Sequence, residues 1–346
     1  MISVEKNYIH LRKPFVMGNP ATLKKISTQL NLSISTVSRA LKNHPDISES
    51  TKRKVKELAT LMDYEPNAYA VNLRTNKSKV IGLIVPSISN MFNDSFIAAA
   101  EKEGREKGYT LMILQSGDDP VQEAENLKLL KQYRVDGILI SVVTDSYAIT
   151  SFEKFSESGI PILFFDRVPS TIKFDTVCMA DEEAATLAAN AIINYKKKNI
   201  LALFGNEELS ITKKRKEAFQ AVFDESKEKI KLQVAACKSS DQAMRVVADA
   251  LLHNKPDHVF CMSDELLIGA MKAIHQAELK MPKQISILAI SNGFIPSLYS
   301  PEITYIETSG FELGKLAMRR MLENLENKTE PKAIILPSRF VEGGSL

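Results

Sequence analysis

Two spacings of apolar residues divide the chain. From residue 22 to residue 62 they recur at helical intervals in three short blocks; from Val80 onward, short apolar runs alternate with amphipathic stretches. In the first block Leu23, Ile26 and Leu30 form one stripe behind Thr22, a suitable N-cap. Asn31 follows at once, and Asn tolerates the left-handed backbone of a tight turn. Ser33 caps a second block, Ile34 to Leu41, with Val37, Ala40 and Leu41 inward and Ser35, Ser38 and Arg39 outward. His44-Pro45-Asp46 breaks the chain, and Ser48 opens a third block with the stripe Val55, Leu58, Ala59 and Met62. Thr51, Lys52, Arg53, Lys54 and Lys56 supply its polar, mostly basic remainder. The spacing therefore predicts a small all-α head over residues 22–66. Ahead of it, residues 1–21 lack periodicity and read as a flexible leader, with Met17 an alternative start.

Residues 67–78 read as a hinge and linker. Asn67 to Arg74 is long enough for two helical turns, which alone in water fall short of the nucleation cost. Beyond it lie strand-like runs at Val80–Val85, Tyr109–Leu114, Gly137–Ser141, Pro161–Phe165 and Thr176–Met179. Helical stretches such as Phe92–Lys107 and Val121–Tyr133 separate them. A second series follows at Ile200–Phe204, Leu232–Ala236, His258–Met262 and Ser286–Ile290, interleaved with helices. Buried strands alternating with helices predict doubly wound parallel sheets, here two α/β lobes. The segments Ile303–Ile306, Leu313–Leu325 and Ala333–Leu336 must cross back to complete both lobes. The expected division is 79–180 with 308–333 for the first lobe, and 181–307 with 334–346 for the second.

Composition narrows the class. At 346 residues, 44% apolar and 25% charged, the chain has ample material for a core, which argues against disorder. No apolar run nears the roughly 18–20 residues of a membrane span, and no secretion signal is visible. Cys178, Cys237 and Cys261 form neither a metal spacing nor an even disulfide framework, so a cytoplasmic setting is expected. Charge is uneven: residues 1–79 hold 14 of the 45 basic residues but only 6 of the 42 acidic ones. A basic head on a mildly acidic body suits a polyanion partner, and on charge alone also a solvated basic surface. Glycine-rich phosphate loops, the nucleophile elbow and the His-Glu-x-x-His zinc motif are all missing, so no enzyme, cofactor or metal is expected.

The strongest local signal is Leu-Ser-Ile-Ser-Thr-Val-Ser-Arg-Ala-Leu at 32–41. A short helix, a tight turn and a helix rich in Ser, Thr and Arg make a helix-turn-helix pattern. Its hydroxyls suit phosphate oxygens and its guanidinium suits a guanine edge. This stretch, with Ser-Glu-Ser-Thr at 48–51, Tyr-Glu-Pro-Asn-Ala at 64–68 and Leu-Arg-Thr at 73–75, resembles the lactose/galactose-repressor (LacI/GalR) family of bacterial transcription regulators. Ile-Gly-Leu-Ile-Val-Pro at 81–86, Arg-Val-Asp-Gly-Ile-Leu at 134–139, Phe-Asp-Arg at 165–167 and Ser-Asp at 263–264 extend the resemblance to nearly the whole chain after residue 21.

The resemblance implies a dimeric, nucleoid-associated repressor that binds a palindromic operator. Its body would be periplasmic-binding-protein-like, with a sugar or sugar phosphate between the lobes. It places Ile34, Ser35 and Arg39 at base-reading positions, and Thr22, Ser33, Thr36, Ser38, Asn43 and His44 on or near the DNA backbone. Asn67, Ala70 and Leu73 match the hinge, with Leu73 the wedge inserted into the minor groove. In the cleft it implies Phe92, Asp166, Arg215, Ser263 and Ser291 as effector contacts. The chain departs from the family in places: Asn31 stands for a turn glycine, Val71 for a polar hinge residue, and Ser291-Asn292 for a common acidic residue in the cleft.

Overall fold

In the computed structural model, Thr22 and Ser33 start two helices by accepting hydrogen bonds from Lys25 N and Thr36 N, at 3.2 and 3.0 Å. The structure describes residues 21–65, 77–143, 149–169, 174–327 and 330–346. The leader up to residue 20 and hinge residues 66–76, including Asn67, Ala70 and Leu73, lie outside them. Two units emerge, one up to Asn76 and one from Lys77 to Leu346, each treated by itself.

The head holds α1 (Leu23–Leu30), α2 (Ile34–Leu41) and α3 (Glu49–Leu61). Asn31 takes φ 52° and caps α1 by donating its N–H to the Ser27 and Thr28 carbonyls, the role its residue type predicts. Ile26, Val37, Ala40, Val55 and Ala59 meet as a small core, flanked by Leu23, Leu30, Leu41 and Leu58. Lys52 departs from the expected basic face: it is 5% exposed, with its ammonium on Glu49 at 2.7 Å. Its aliphatic stem buries itself while the charge keeps a partner.

The body contains two six-stranded sheets. The first has the order β11-β5-β4-β3-β1-β2, from β1 (Val80–Val85), β2 (Thr110–Gln115), β3 (Gly137–Ile140), β4 (Ile162–Phe165), β5 (Asp175–Met179) and β11 (Ala333–Leu336). The second runs β12-β10-β9-β8-β6-β7, from β6 (Asn199–Phe204), β7 (Lys231–Ala236), β8 (His258–Cys261), β9 (Ser286–Ser291), β10 (Thr304–Glu307) and β12 (Arg339–Val341). All pairings are parallel except β10 with β12. The expected boundary at residue 334 is therefore corrected. Ala333–Leu336 pairs with β5 in the first sheet, and the chain returns to the second lobe only for β12. An apolar run at that point pairs equally well with either sheet by pattern, so the sequence alone cannot assign it.

Helices cover both faces of each sheet. In the first lobe these are α4 (Met91–Glu106), α5 (Pro120–Gln132), α6 (Ile149–Ser156) and α11 (Gly310–Asn327); in the second, α7 (Asp181–Asn194), α8 (Ser210–Asp224), α9 (Ser240–His253) and α10 (Asp264–Gln276). One face of the first sheet buries Phe96 stacked on Phe165 with centroids 3.8 Å apart; the other buries Phe152 and Phe164 edge to face. Phe219 and Phe260 stack at 4.3 Å in the second lobe. Helices α4 and α11 approach at backbone distance, because a side chain on Gly314 would collide with the Phe96 carbonyl. The chain crosses between lobes after β5, β10 and β11, so the carboxyl ends of the strands face one cleft.

Candidate functional site

Helix α2 offers the head's chemistry to solvent. Ile34 is 49% exposed despite being apolar, and Ser33, Ser35, Arg39, Asn43 and His44 are exposed beside it. Thr36 and Ser38 are half-buried, and Thr22 is exposed at the start of α1. Val37 and Ala40 are fully buried beneath, so the helix is pinned by one face and open on the other. Ser33 Oγ is a cap first: beyond Thr36 N it meets Ser35 Oγ at 2.7 Å and Thr36 Oγ1 at 2.8 Å. Three hydroxyls thus cluster at a helix N-terminus, where a phosphate is electrostatically welcome. Asn43 takes φ 58° and lies near Lys56 Nζ, while His44 Nδ1 approaches Asp46.

The cleft keeps its chemistry inside. Arg215 is 6% exposed; its Nε and Nη2 reach Asp181 Oδ1 at 2.9 and 2.7 Å, and its Nη1 reaches the Met262 carbonyl at 2.9 Å. It is buried although Lys213, Lys214 and Lys216 flank it in sequence. Asp166, half-buried just after β4, sits in the left-handed region at φ 57°. Burial pushes its carboxyl up to about 6, and Arg167 opposes that while Asp181 adds to it. Ser141 Oγ, fully buried at the end of β3, lies by this carboxylate without forming a well-shaped hydrogen bond. Thr212 Oγ1 on α8 is likewise buried and unpaired.

Ser291 ends β9 fully buried, and its hydroxyl donates to Asp264 Oδ1. Asn292 N donates to Asp264 Oδ2 at 3.1 Å. Burial raises the Asp264 carboxyl, and these hydrogen bonds oppose it. Ser263 stands half-buried at the start of α10 without capping it. Phe92, half-buried in the first turn of α4, packs against the first lobe's core. Further out, the buried Glu123 of α5 accepts the Val143 N–H at 2.9 Å. Burial pushes it up to about 7, against that hydrogen bond and helped by Asp118.

Sequence reasoning missed Asp181 and Glu123, and it noted Asp264 and Asn292 without assigning either a contact at the site. Asp181 opens a helix directly after a strand, a placement that flags an acid at a cleft edge, and Asp264 lay in the Ser-Asp motif already noted. Nothing in sequence marks Glu123 among the acids of an amphipathic helix. His258 is buried and pushed down to about 3, with Nδ1 on Ser286 Oγ at 2.8 Å, so it stays neutral in the core. Among the described residues no group of His, Cys, Asp or Glu is placed to hold a metal ion, and no helix is long and apolar enough to cross a membrane.

Comparison with known proteins matches both units. Residues 22–67 match bacterial regulatory proteins of the lacI family, and residues 78–343 match periplasmic binding proteins and the sugar-binding domain of the LacI family. Relatives include the HTH-type transcriptional regulator DegA of Bacillus subtilis, 26% identical over 92% of this chain and 96% of its own. The ribose operon repressor of Haemophilus influenzae is 28% identical over 90% and 93%. Among solved structures, the lac repressor dimer bound to operator and the anti-inducer ONPF aligns with a TM-score of 0.86 at 20% identity, covering 94% of this chain and 99% of that one. A LacI family regulator from Enterococcus faecium with bound ribose aligns at 0.68 and 22% identity, covering 77% and 98%.

Proposed function

The chain belongs to the LacI family of bacterial regulatory proteins, and from that premise we propose how this DNA-binding transcriptional regulator works. It acts in the cytoplasm as a dimeric repressor. Each head sets α2 in the major groove of one half-site, with Ile34, Ser35 and Arg39 toward the bases. Thr22, Ser33, Thr36, Ser38, Asn43 and His44 hold the backbone. A single head buries too little surface to be both tight and specific, so two-fold pairing on a palindrome follows. The observation that carries this reading is the exposed Ile34–Arg39 face over a buried Val37–Ala40 face on one short helix. Exposed apolar side chains on the body, Ile113, Val121 and Leu298 among them, offer surface that a second copy can cover.

The hinge links head to body. Asn67, Ala70 and Leu73 pair across the dimer, with Leu73 wedging a base step open. The body's end of that hinge is firmly held: Asp136 accepts Ser78 N at 2.6 Å, Ser78 Oγ at 2.9 Å and Lys79 N at 3.0 Å. Movement of the first lobe therefore carries the hinge origin with it.

The effector lies between Phe92, Asp166, Arg215, Ser263 and Ser291. Arg215 is already committed to Asp181 and a carbonyl, and Asp166, Asp181 and Asp264 outnumber it. That balance favours an uncharged sugar over its phosphate. A thermal-shift screen tests this, since a ligand at 100 times its Kd adds roughly 2.7 kcal/mol of stability. Neutral sugars should raise the melting temperature where their phosphates do not; no shift with any sugar would remove the effector. Selection from random duplexes should return a palindrome bound by a dimer in sedimentation, and an asymmetric site held by a monomer would sink the DNA reading.

A further inference from the structure

Asn292 joins the two lobes through its side-chain amide. It follows β9 in the second lobe, and its partners lie on α4 and at the start of α11, both in the first. Its Nδ2 donates to Ser95 Oγ at 3.0 Å and to the Met91 carbonyl at 3.4 Å. Its Oδ1 accepts the Gly310 N–H at 3.0 Å. Meanwhile its own backbone N–H holds Asp264 Oδ2, whose other oxygen takes the Ser291 hydroxyl. We propose that Asn292 is the positioning residue that fixes the angle between the lobes and hence the width of the cleft before any ligand enters.

The chemistry requires an amide. One end must donate to a carbonyl and a hydroxyl, and the other must accept an N–H; only Asn and Gln side chains do both. A carboxylate in the same shape keeps the Gly310 bond. It loses the donation to Met91, however, and sets a negative charge beside Asp264, itself already raised by burial. Gly310 is matched to this contact: a side chain there would collide with the Phe92 carbonyl and approach Ser95 Oγ at 2.5 Å. Ser95 Oγ in turn donates to the Phe92 carbonyl at 3.1 Å. The amide thus clamps the helical turn that carries Phe92 on one wall, and the segment carrying Asp264 and Ser291 on the other. Two walls held by one side chain fix the space between them. Only this consequence for ligand width rests on the effector reading above; the latch itself does not.

Double electron–electron resonance on the full chain, without ligand, tests the latch. Spin labels go on Lys102→Cys in α4 and Lys272→Cys in α10, both exposed. The three native cysteines are replaced, and labelled protein is diluted with unlabelled chains. The wild-type background should give one narrow distance. Asn292→Ala and Ser95→Ala should each broaden it and add a longer population, and Asn292→Asp should open the lobes furthest at pH 8. A space-filling role would leave Asn292→Asp like wild type, because the two side chains share a shape. A wild-type distribution in folded Asn292→Asp and Ser95→Ala, or a broad one in the unsubstituted background, would overturn the proposal. Either result leaves operator selection and the sugar screen untouched, so failure here is distinct from failure of the proposed function.

Discussion

On α2 of the head, Ile34, Ser35 and Arg39 stand exposed on a single helix, and each owes its place to the helix alone. In the cleft, Arg215 is 6% exposed and is held by Asp181 and Met262, 34 and 47 positions away in sequence. The first arrangement presents Arg39 and the Ser33 and Ser35 hydroxyls at the surface, where a polymer that arrives from outside can reach them. The second spends its charges on one another and keeps a small space defined. An exposed side chain can be lost at little cost in stability, whereas one member of a buried ion pair cannot. The two regions should therefore answer substitution differently, in stability at one and in recognition at the other.

Arg215→Ala should separate them most widely. It leaves Asp181, 7% exposed, without its counter-charge, and removing one member of a buried pair costs about 3–5 kcal/mol. Urea denaturation of the body should register the loss, and Asp181→Asn combined with Arg215→Met should recover most of it. Were Arg215→Ala as stable as wild type, the cleft would be open to water and the contrast with α2 would dissolve.

The body should also be sensitive to pH. Asp166 and Glu123 have folded values raised to about 6 and about 7, above their ordinary carboxylate range. Raised carboxyls stabilise the fold when protonated, so their contribution is complete below about pH 4 and is lost as pH rises through 6 to 7. Asp166→Asn and Glu123→Gln should therefore raise the melting temperature at pH 8, by an amount equivalent to roughly 1–3 kcal/mol each. The gain should vanish near pH 4. Melting curves across that range check it, and a gain independent of pH would point to packing instead.

For Arg39→Ala the expectation is reversed. Melting of the head should stay close to wild type, while preference at one base pair per half-site relaxes by roughly 1–3 kcal/mol. An unchanged selected sequence, or a uniform loss across all sequences, would make Arg39 a backbone contact.

The same contrast explains what the sequence could tell. The head was legible because its signals are local: Ser33 caps from three residues away, and Asn31 turns the chain by its own φ. The alternation of strands and helices was legible for the same reason. The destination of Ala333–Leu336 was not, because pairing with β5 depends on where the third crossing falls. Arg215 was picked out by its family position, but its pairing with Asp181 needed the fold. Lys52 and Glu123 were hidden by their helices, since a charged side chain on an amphipathic pattern reads as solvated until packing covers it.

The smallest effect tests the local end of this comparison. Asn31 holds φ 52° at the turn between α1 and α2, and its N–H closes onto Ser27 and Thr28. A left-handed backbone costs a β-carbon-bearing residue roughly 1–2 kcal/mol, less for Asn, and almost nothing for Gly. Asn31→Ala should therefore lower head stability by about 1 kcal/mol, and Asn31→Gly should leave it nearly unchanged, its relief of strain offset by greater freedom in the unfolded chain. Because the residue acts through its own backbone, the loss should be confined to the head. Hydrogen exchange of α1 and α2 should accelerate in Asn31→Ala while amides of β8 and β9 keep their wild-type rates. Exchange that rose in both units would mean that the turn is read by more than its own dihedral angles, and the head's independence of distant residues would fail.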